Sequence, residues 1–115
     1  MTIAAWQVEF SIVPRRALTA AGIAPQRPAI ASDWWAAEKL PADFQRKLAA
    51  IASPAASSDA NRQTWGPDEG NRIDVWFVDG RATRMTARVD VRRLDSKFGA
   101  MLLQFARTAG AVLVR

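Results

Sequence analysis

Two runs in the second half of the chain, 72–78 and 81–92, place arginines, aspartates and a tryptophan at alternate positions. The first carries Arg72, Asp74 and Trp76; the second carries Arg84, Thr86, Arg88, Asp90 and Arg92. Guanidinium donors, carboxylates and an indole on one face suit a docking platform, because Trp and Arg dominate binding hot spots. The same arginines could attract a phosphate backbone. However, Asp74 and Asp90 sit among them, and four arginines against two aspartates leave only +2. The plainer reading is a solvated sheet face whose cross-strand ion pairs contribute about 0.2–1 kcal/mol each.

Other chemistry is largely excluded. The sequence has no Cys, His or Tyr, which removes disulfides, thiolate and imidazole metal ligands, and His-based triads. Asp68, Glu69 and Asp74 offer oxygen ligands, but their spacing is not that of a calcium loop. Gly66-Pro67 and Gly70-Asn71 read instead as the bends of a tight turn, with Trp65 packed down as a lid. Adjacent carboxylates such as Asp68 and Glu69 rarely converge on one substrate atom, so paired acid–base catalysis is unsupported. Every glycine is isolated, and no phosphate-binding loop occurs. The expectation is a protein with no catalytic residue, no cofactor and no metal.

Charge is unevenly distributed. Sixteen basic and eleven acidic residues give +5, and all of the basic ones except Lys39, Lys47 and Lys97 are arginine. Residues 1–70 are neutral, so residues 71–115 carry the whole excess. Met1 to Trp6 has no basic start, Glu9 interrupts the apolar run, and no stretch is long enough to cross a bilayer. A soluble bacterial cytoplasmic protein without membrane contact is expected.

The elements that must position the arginines follow from periodicity. Trp6, Val8, Phe10 and Ile12 alternate with Gln7, Glu9 and Ser11, giving a half-buried strand that Pro14 stops. Ser32 reads as the N-cap of a short helix through Asp33, Trp34 and Trp35. Of these two tryptophans, one should enter the core and the other stay partly exposed. Phe44, Leu48 and Ile51 make residues 41–52 an amphipathic helix, and Ser53 to Asp59 is a loop. Ile73, Val75 and Phe77 share one face of a strand; Met85, Ala87, Val89 and Val91 share one face of the next. Asp79-Gly80 between them marks a β-hairpin.

Keeping both faces uniform favours a three-residue loop, Val78 to Gly80, which pairs Ile73 with Met85 and Asp74 with Arg84. Asp95 caps a last helix with Phe98, Met101, Leu102 and Phe105 on its apolar stripe. Gly110 then ends it before a short strand, Ala111 to Val114. Phe98, Leu102 and Phe105 should pack on Val8, Phe10, Val89 and Val91. The order β-α-α-β-β-α-β, over a single domain spanning 1–115, predicts an α+β fold. Its expected form is a four-stranded antiparallel sheet with helices on one face, in ferredoxin-like β-α-β-β-α-β order.

The run Trp65 to Val75, followed by Arg88-Val89-Asp90-Val91-Arg92, resembles a pattern in small uncharacterised bacterial αβ proteins. Some of these are presumed immunity partners of secreted toxins. The resemblance implies a protein-binding role and no binding residue in particular. Immunity proteins against nucleases are usually acidic, and this chain is basic.

The reading is therefore a non-enzymatic protein-binding module, of immunity type, that uses the outer face of the 72–92 hairpin. Its candidate contacts are Arg72, Asp74, Trp76, Arg84, Arg88, Asp90 and Arg92. A protein partner and a homodimer are expected, with nucleic acid ranked below both. The alternatives are a nucleic-acid-associated regulator on the same arginines, or a small-ligand protein with a pocket between sheet and helices.

Overall fold

Alternating side chains put Gln7–Pro14 into strand β1, and the chain then enters a helical turn at residues 15–17. The computed structural model describes residues 3–17, 34–36 and 38–115. After β1 come helix α1 (Phe44–Ile51), strands β2 (Pro54–Ala55), β3 (Arg62–Trp65), β4 (Arg72–Val78) and β5 (Arg81–Asp90), helix α2 (Ser96–Thr108) and strand β6 (Ala111–Val114). The strands form one sheet in the order β2-β3-β4-β5-β1-β6, with every neighbouring pair antiparallel.

This corrects the four-stranded ferredoxin-like expectation, because the sheet has six strands. The four strands visible in the sequence are contiguous as β4-β5-β1-β6, and β2 and β3 extend the sheet beyond β4. Both come from the segment expected to be loop and turn. β2 is two residues long and β3 four, too short for periodicity to register.

The hairpin also differs from expectation. Its loop is Asp79-Gly80 alone, with φ of 51° and 77°, the two positive values of a type I′ turn. Val78 then pairs with Arg81 and Phe77 with Ala82, but Trp76 pairs with Arg84, so Thr83 is the extra residue of a β-bulge. The faces stay uniform because the bulge adds its residue within the strand, not in the loop. Asp74 consequently lies opposite Thr86, and Ile73 opposite Ala87.

One face of the sheet packs against the helices. Ile12, Ile73, Val75, Met85 and Ala87 meet Leu48 of α1, and Phe98, Leu102, Phe105 and Ala106 of α2, with Trp35 and Trp65 completing the core. Val91, expected in this cluster, is exposed just past the end of β5, and Val89 packs against it only partly buried. Trp6 precedes β1 in a turn and is likewise not a core residue. The expected N-cap Ser32 and the first helical residue Asp33 lie outside the described residues, and Trp34–Ala36 form a turn and not a helix. Trp35 is buried while Trp34 is partly exposed.

Trp35 occupies the place where β1 leaves β5. The β1–β5 ladder stops at Ser11↔Thr86, after which β1 pairs only with β6. There the Trp35 backbone N–H donates to the Thr83 carbonyl at 2.9 Å, and its indole N–H donates to the Ile12 carbonyl at 2.8 Å. Both donors are thus matched inside the fork, as buried polar groups must be.

α1 begins at Phe44, later than its pattern suggested, after a turn closed by Phe44 N–H donating to Pro41. α2 is capped as expected, with the Asp95 carboxylate accepting from the Lys97 and Phe98 N–H groups. Because Phe105 is 4% exposed at the centre of the helix–sheet contact, Phe105→Ala should cost about 3–5 kcal/mol in chemical denaturation. A loss under about 1 kcal/mol would show that α2 does not pack on the sheet in this way.

Candidate functional site

The candidate residues lie on the sheet face opposite the helices, and strand register sets their neighbours. Arg72 sits opposite Arg88, Asp74 opposite Thr86, and Trp76 opposite Arg84. β1 adds Glu9 beside Arg88 and Ser11 beside Thr86, while β3 adds Thr64 beside Asp74 and Arg62 beside Trp76. The structure therefore brings the hairpin residues onto one face, but that face is not the open platform the alternation implied. Arg72 (1%), Asp74 (0%) and Arg88 (6%) are buried.

Arg72 and Asp74 form the centre. Arg72 Nε donates to Asp74 Oδ2 at 2.9 Å and Nη2 to Oδ1 at 2.7 Å, a bidentate pair. The third nitrogen, Nη1, donates to Asp68 Oδ1 at 2.6 Å, from a carboxylate that reaches in from solvent. Asp74 also accepts from the Thr64 hydroxyl at 2.7 Å, and Arg62 Nε stands 3.8 Å from it. Burial alone would pull the Arg72 pKa down, but the hydrogen bonds and charge of Asp74, with those of Asp68, hold it above its ordinary value. Both ions are fully enclosed and fully bonded.

Asp68 reaches Arg72 because the turn between β3 and β4 folds back toward this face. Gly66 has φ of 100°, and a side chain there would collide with the Asn71 carbonyl, so only glycine fits. The same turn is tied to β1: Gln7 Nε2 donates to the carbonyls of Asp68 and Gly70, and the Trp6 indole donates to that of Glu69.

Four of the expected contacts remain at least partly exposed: Trp76, Arg84, Asp90 and Arg92. Arg84 lies over the Trp76 ring, with its guanidinium carbon 4.0 Å from the centroid, and Arg92 lies over Trp6 at the same distance. Arg92 is also fixed to Asp90 by two hydrogen bonds, Nε to Oδ1 at 3.0 Å and Nη2 to Oδ2 at 2.8 Å. Those bonds hold Asp90 below the usual carboxylate range and raise Arg92 above its own. The exposed side chains of Ile3, Val91 and Leu94 belong to the two segments joined here, where Val91 N–H donates to the Trp6 carbonyl.

Sequence reasoning missed Trp6, Glu9, Arg62, Thr64 and Asp68 as members of this face. Glu9 could have been found from the alternation of β1, whereas Arg62 and Thr64 needed β3, which the sequence did not announce. Chemically, the face offers guanidinium donors, stacked indoles and carboxylates that are each engaged by arginine. Among the described residues, no group of three or more acidic, His or Cys side chains could hold a metal ion. No described helix is long and apolar enough to cross a membrane. A surface groove of about 650 Å³ runs beside β3, lined by Gln45, Ala55 and Gln63 and reaching Arg62 and Thr64. No family model, curated protein or solved structure matches the chain.

The Asp90–Arg92 pair makes a pH prediction. A carboxylate whose folded pKa lies below its unfolded value of 3.8 adds stability above that value and loses it as pH falls through the folded pKa. Denaturation midpoints followed from neutral pH down to about pH 2 should show an acid loss that is smaller in Asp90→Asn than in the wild type. Identical acid profiles would remove Asp90 from the account.

Proposed function

We propose that the chain is a non-enzymatic protein-binding module that docks a partner with an acidic surface through the outer face of its hairpin. The observation that carries this reading is the pair of arginine-on-tryptophan stacks, Arg84 over Trp76 and Arg92 over Trp6. A stacked guanidinium keeps hydrogen-bond donors facing outward while the indole beneath supplies apolar area, the combination enriched in binding hot spots. From Arg84 to Asp90 β5 runs roughly 20 Å, so one interface of ordinary size can cover both stacks. Exposed Val91 and Leu94 add apolar area at one end.

The +5 charge of the chain supports an acidic partner. In this reading Arg72, Asp74 and Arg88 are the frame beneath the contact and Trp76, Arg84, Asp90 and Arg92 are the contact itself. The resemblance of residues 65–75 and 88–92 to small uncharacterised bacterial proteins, some of them presumed immunity partners, supports a protein partner. The basic charge argues against a nuclease as the partner, since an inhibitor of such an enzyme gains by imitating nucleic acid.

The test separates protein from nucleic acid. Wild-type protein, Arg84→Ala and Arg92→Ala serve as baits, and a captured protein is purified and titrated back in a defined two-component mixture. The expected result is an acidic protein that rebinds the wild type and binds each variant roughly tenfold or more weakly. Stability should change by less than about 1 kcal/mol in Arg84→Ala, since the arginine is stacked at the surface. Submicromolar binding of short oligonucleotides at about 150 mM salt, lost in Arg84→Ala, would replace this reading with the nucleic-acid one. Sedimentation of the purified chain tests the other expected partner, a second copy of itself.

A further inference from the structure

At one margin of the sheet, β2 pairs with β3 on one side and with no described strand on the other. Gly66 N–H donates to the Ser53 carbonyl at 2.8 Å, so Ser53–Gly66 and, two residues on, Ala55–Thr64 are the hydrogen-bonded pairs of this ladder. Pro54 lies between them, and its carbonyl therefore points away from β3 toward the open edge. Proline has no N–H to offer there, so at this position the edge accepts a hydrogen bond and donates none. The groove of about 650 Å³ beside β3 runs along Pro54 and Ala55, with Gln45, Arg46 and Ala49 of α1 also lining it. That volume is the size of a ligand site.

Two lining side chains are fixed to each other. Gln45 Nε2 donates to Gln63 Oε1 at 2.6 Å, which joins α1 to β3. Among the described residues, Gln45 Oε1 accepts no hydrogen bond and Gln63 Nε2 donates none. An acceptor and a donor held together match the N–H and C=O of a main-chain amide. Arg46 is mostly exposed, and only its Nη2 is engaged, by Asp43 at 2.9 Å. We propose that this groove binds an extended peptide segment carrying an acidic side chain. A peptide N–H would donate to the Pro54 carbonyl, a second main-chain amide would meet Gln45 and Gln63, and the carboxylate would meet Arg46. This is strand addition at a sheet edge, with Pro54 preventing a longer ladder. The +5 charge of the chain favours the acidic segment. The site does not depend on the contact proposed for Trp76 and Arg84.

A blocked alanine peptide with one central aspartate, titrated into ¹⁵N-labelled protein at about 150 mM salt, tests the site. The expected result is a saturable shift of the Ala55 amide and of the Gln45 and Gln63 side-chain amides, with a dissociation constant of about 1 mM. Gln63→Leu should weaken binding about tenfold, the factor of one hydrogen bond. The wild type should prefer the aspartate peptide to its asparagine counterpart about threefold, and Arg46→Gln should lose that preference. The same peptide with N-methylated main-chain amides should not bind, a readout that needs no variant to fold. Four results would overturn the proposal: no saturable response below about 20 mM, unchanged affinity in Gln63→Leu, equal binding of the N-methylated peptide, or groove signals that shift when the protein alone is diluted. The last would seat a second copy of the chain in the groove.

Discussion

A fully enclosed ion pair is costly unless every donor and acceptor is matched, and Arg72–Asp74 meets that condition. Its two parallel hydrogen bonds lie along β4, and the remaining partners come from three directions. Thr64 supplies a hydroxyl from β3, Asp68 a carboxylate from the preceding turn, and Arg62 a second cation. Loss of either ion would leave the other buried without its bidentate partner, with only Asp68 beside Arg72 or Arg62 beside Asp74. The pair therefore fixes β3 against β4 and draws the Gly66–Asn71 turn over the sheet. That turn in turn holds the segment before β1 through Gln7 and Trp6.

This arrangement divides the polar face into an enclosed frame and a more exposed rim. Arg72, Asp74 and Arg88 are enclosed, so their charges set the local field and the strand register. The guanidinium groups of Arg84 and Arg92 lie over the Trp76 and Trp6 rings, which covers apolar surface that would otherwise face solvent. At the far end of the sheet, Trp35 closes the fork between β1 and β5 through Thr83, the residue that the bulge frees from the ladder. The bulge that sets the face of Trp76 and Arg84 also supplies a carbonyl that anchors the core.

How much of this was legible depended on length and on parity. Long alternating runs exposed β1, β4 and β5, and the stripe Phe98, Leu102, Phe105 exposed α2. The register was not legible. Shifting the pairing by two residues leaves every side chain on its own face, so uniform faces cannot distinguish Asp74 opposite Arg84 from Asp74 opposite Thr86. The turn and the bulge decide it together: Asp79-Gly80 suits a two-residue type I′ turn, but no sequence pattern marks the bulge at Thr83. β2 and β3 were missed because two and four residues hold too little periodicity. With them went Thr64 and Arg62, the residues that enclose Asp74. Without those covering residues, an alternating Arg-x-Asp on a strand reads as solvent-facing.

The central claim is that Arg72 and Asp74 are one internal unit and not two surface contacts. A thermodynamic cycle measures this directly, by comparing the unfolding free energies of Arg72→Met, Asp74→Leu and the double variant with that of the wild type. Each single change should cost about 3–5 kcal/mol by leaving a buried ion without its bidentate partner, while the double variant should recover most of that loss. Additive single losses, or a cost below about 1 kcal/mol for Arg72→Met, would mean that the pair is an ordinary surface ion pair and that the face is not built around it.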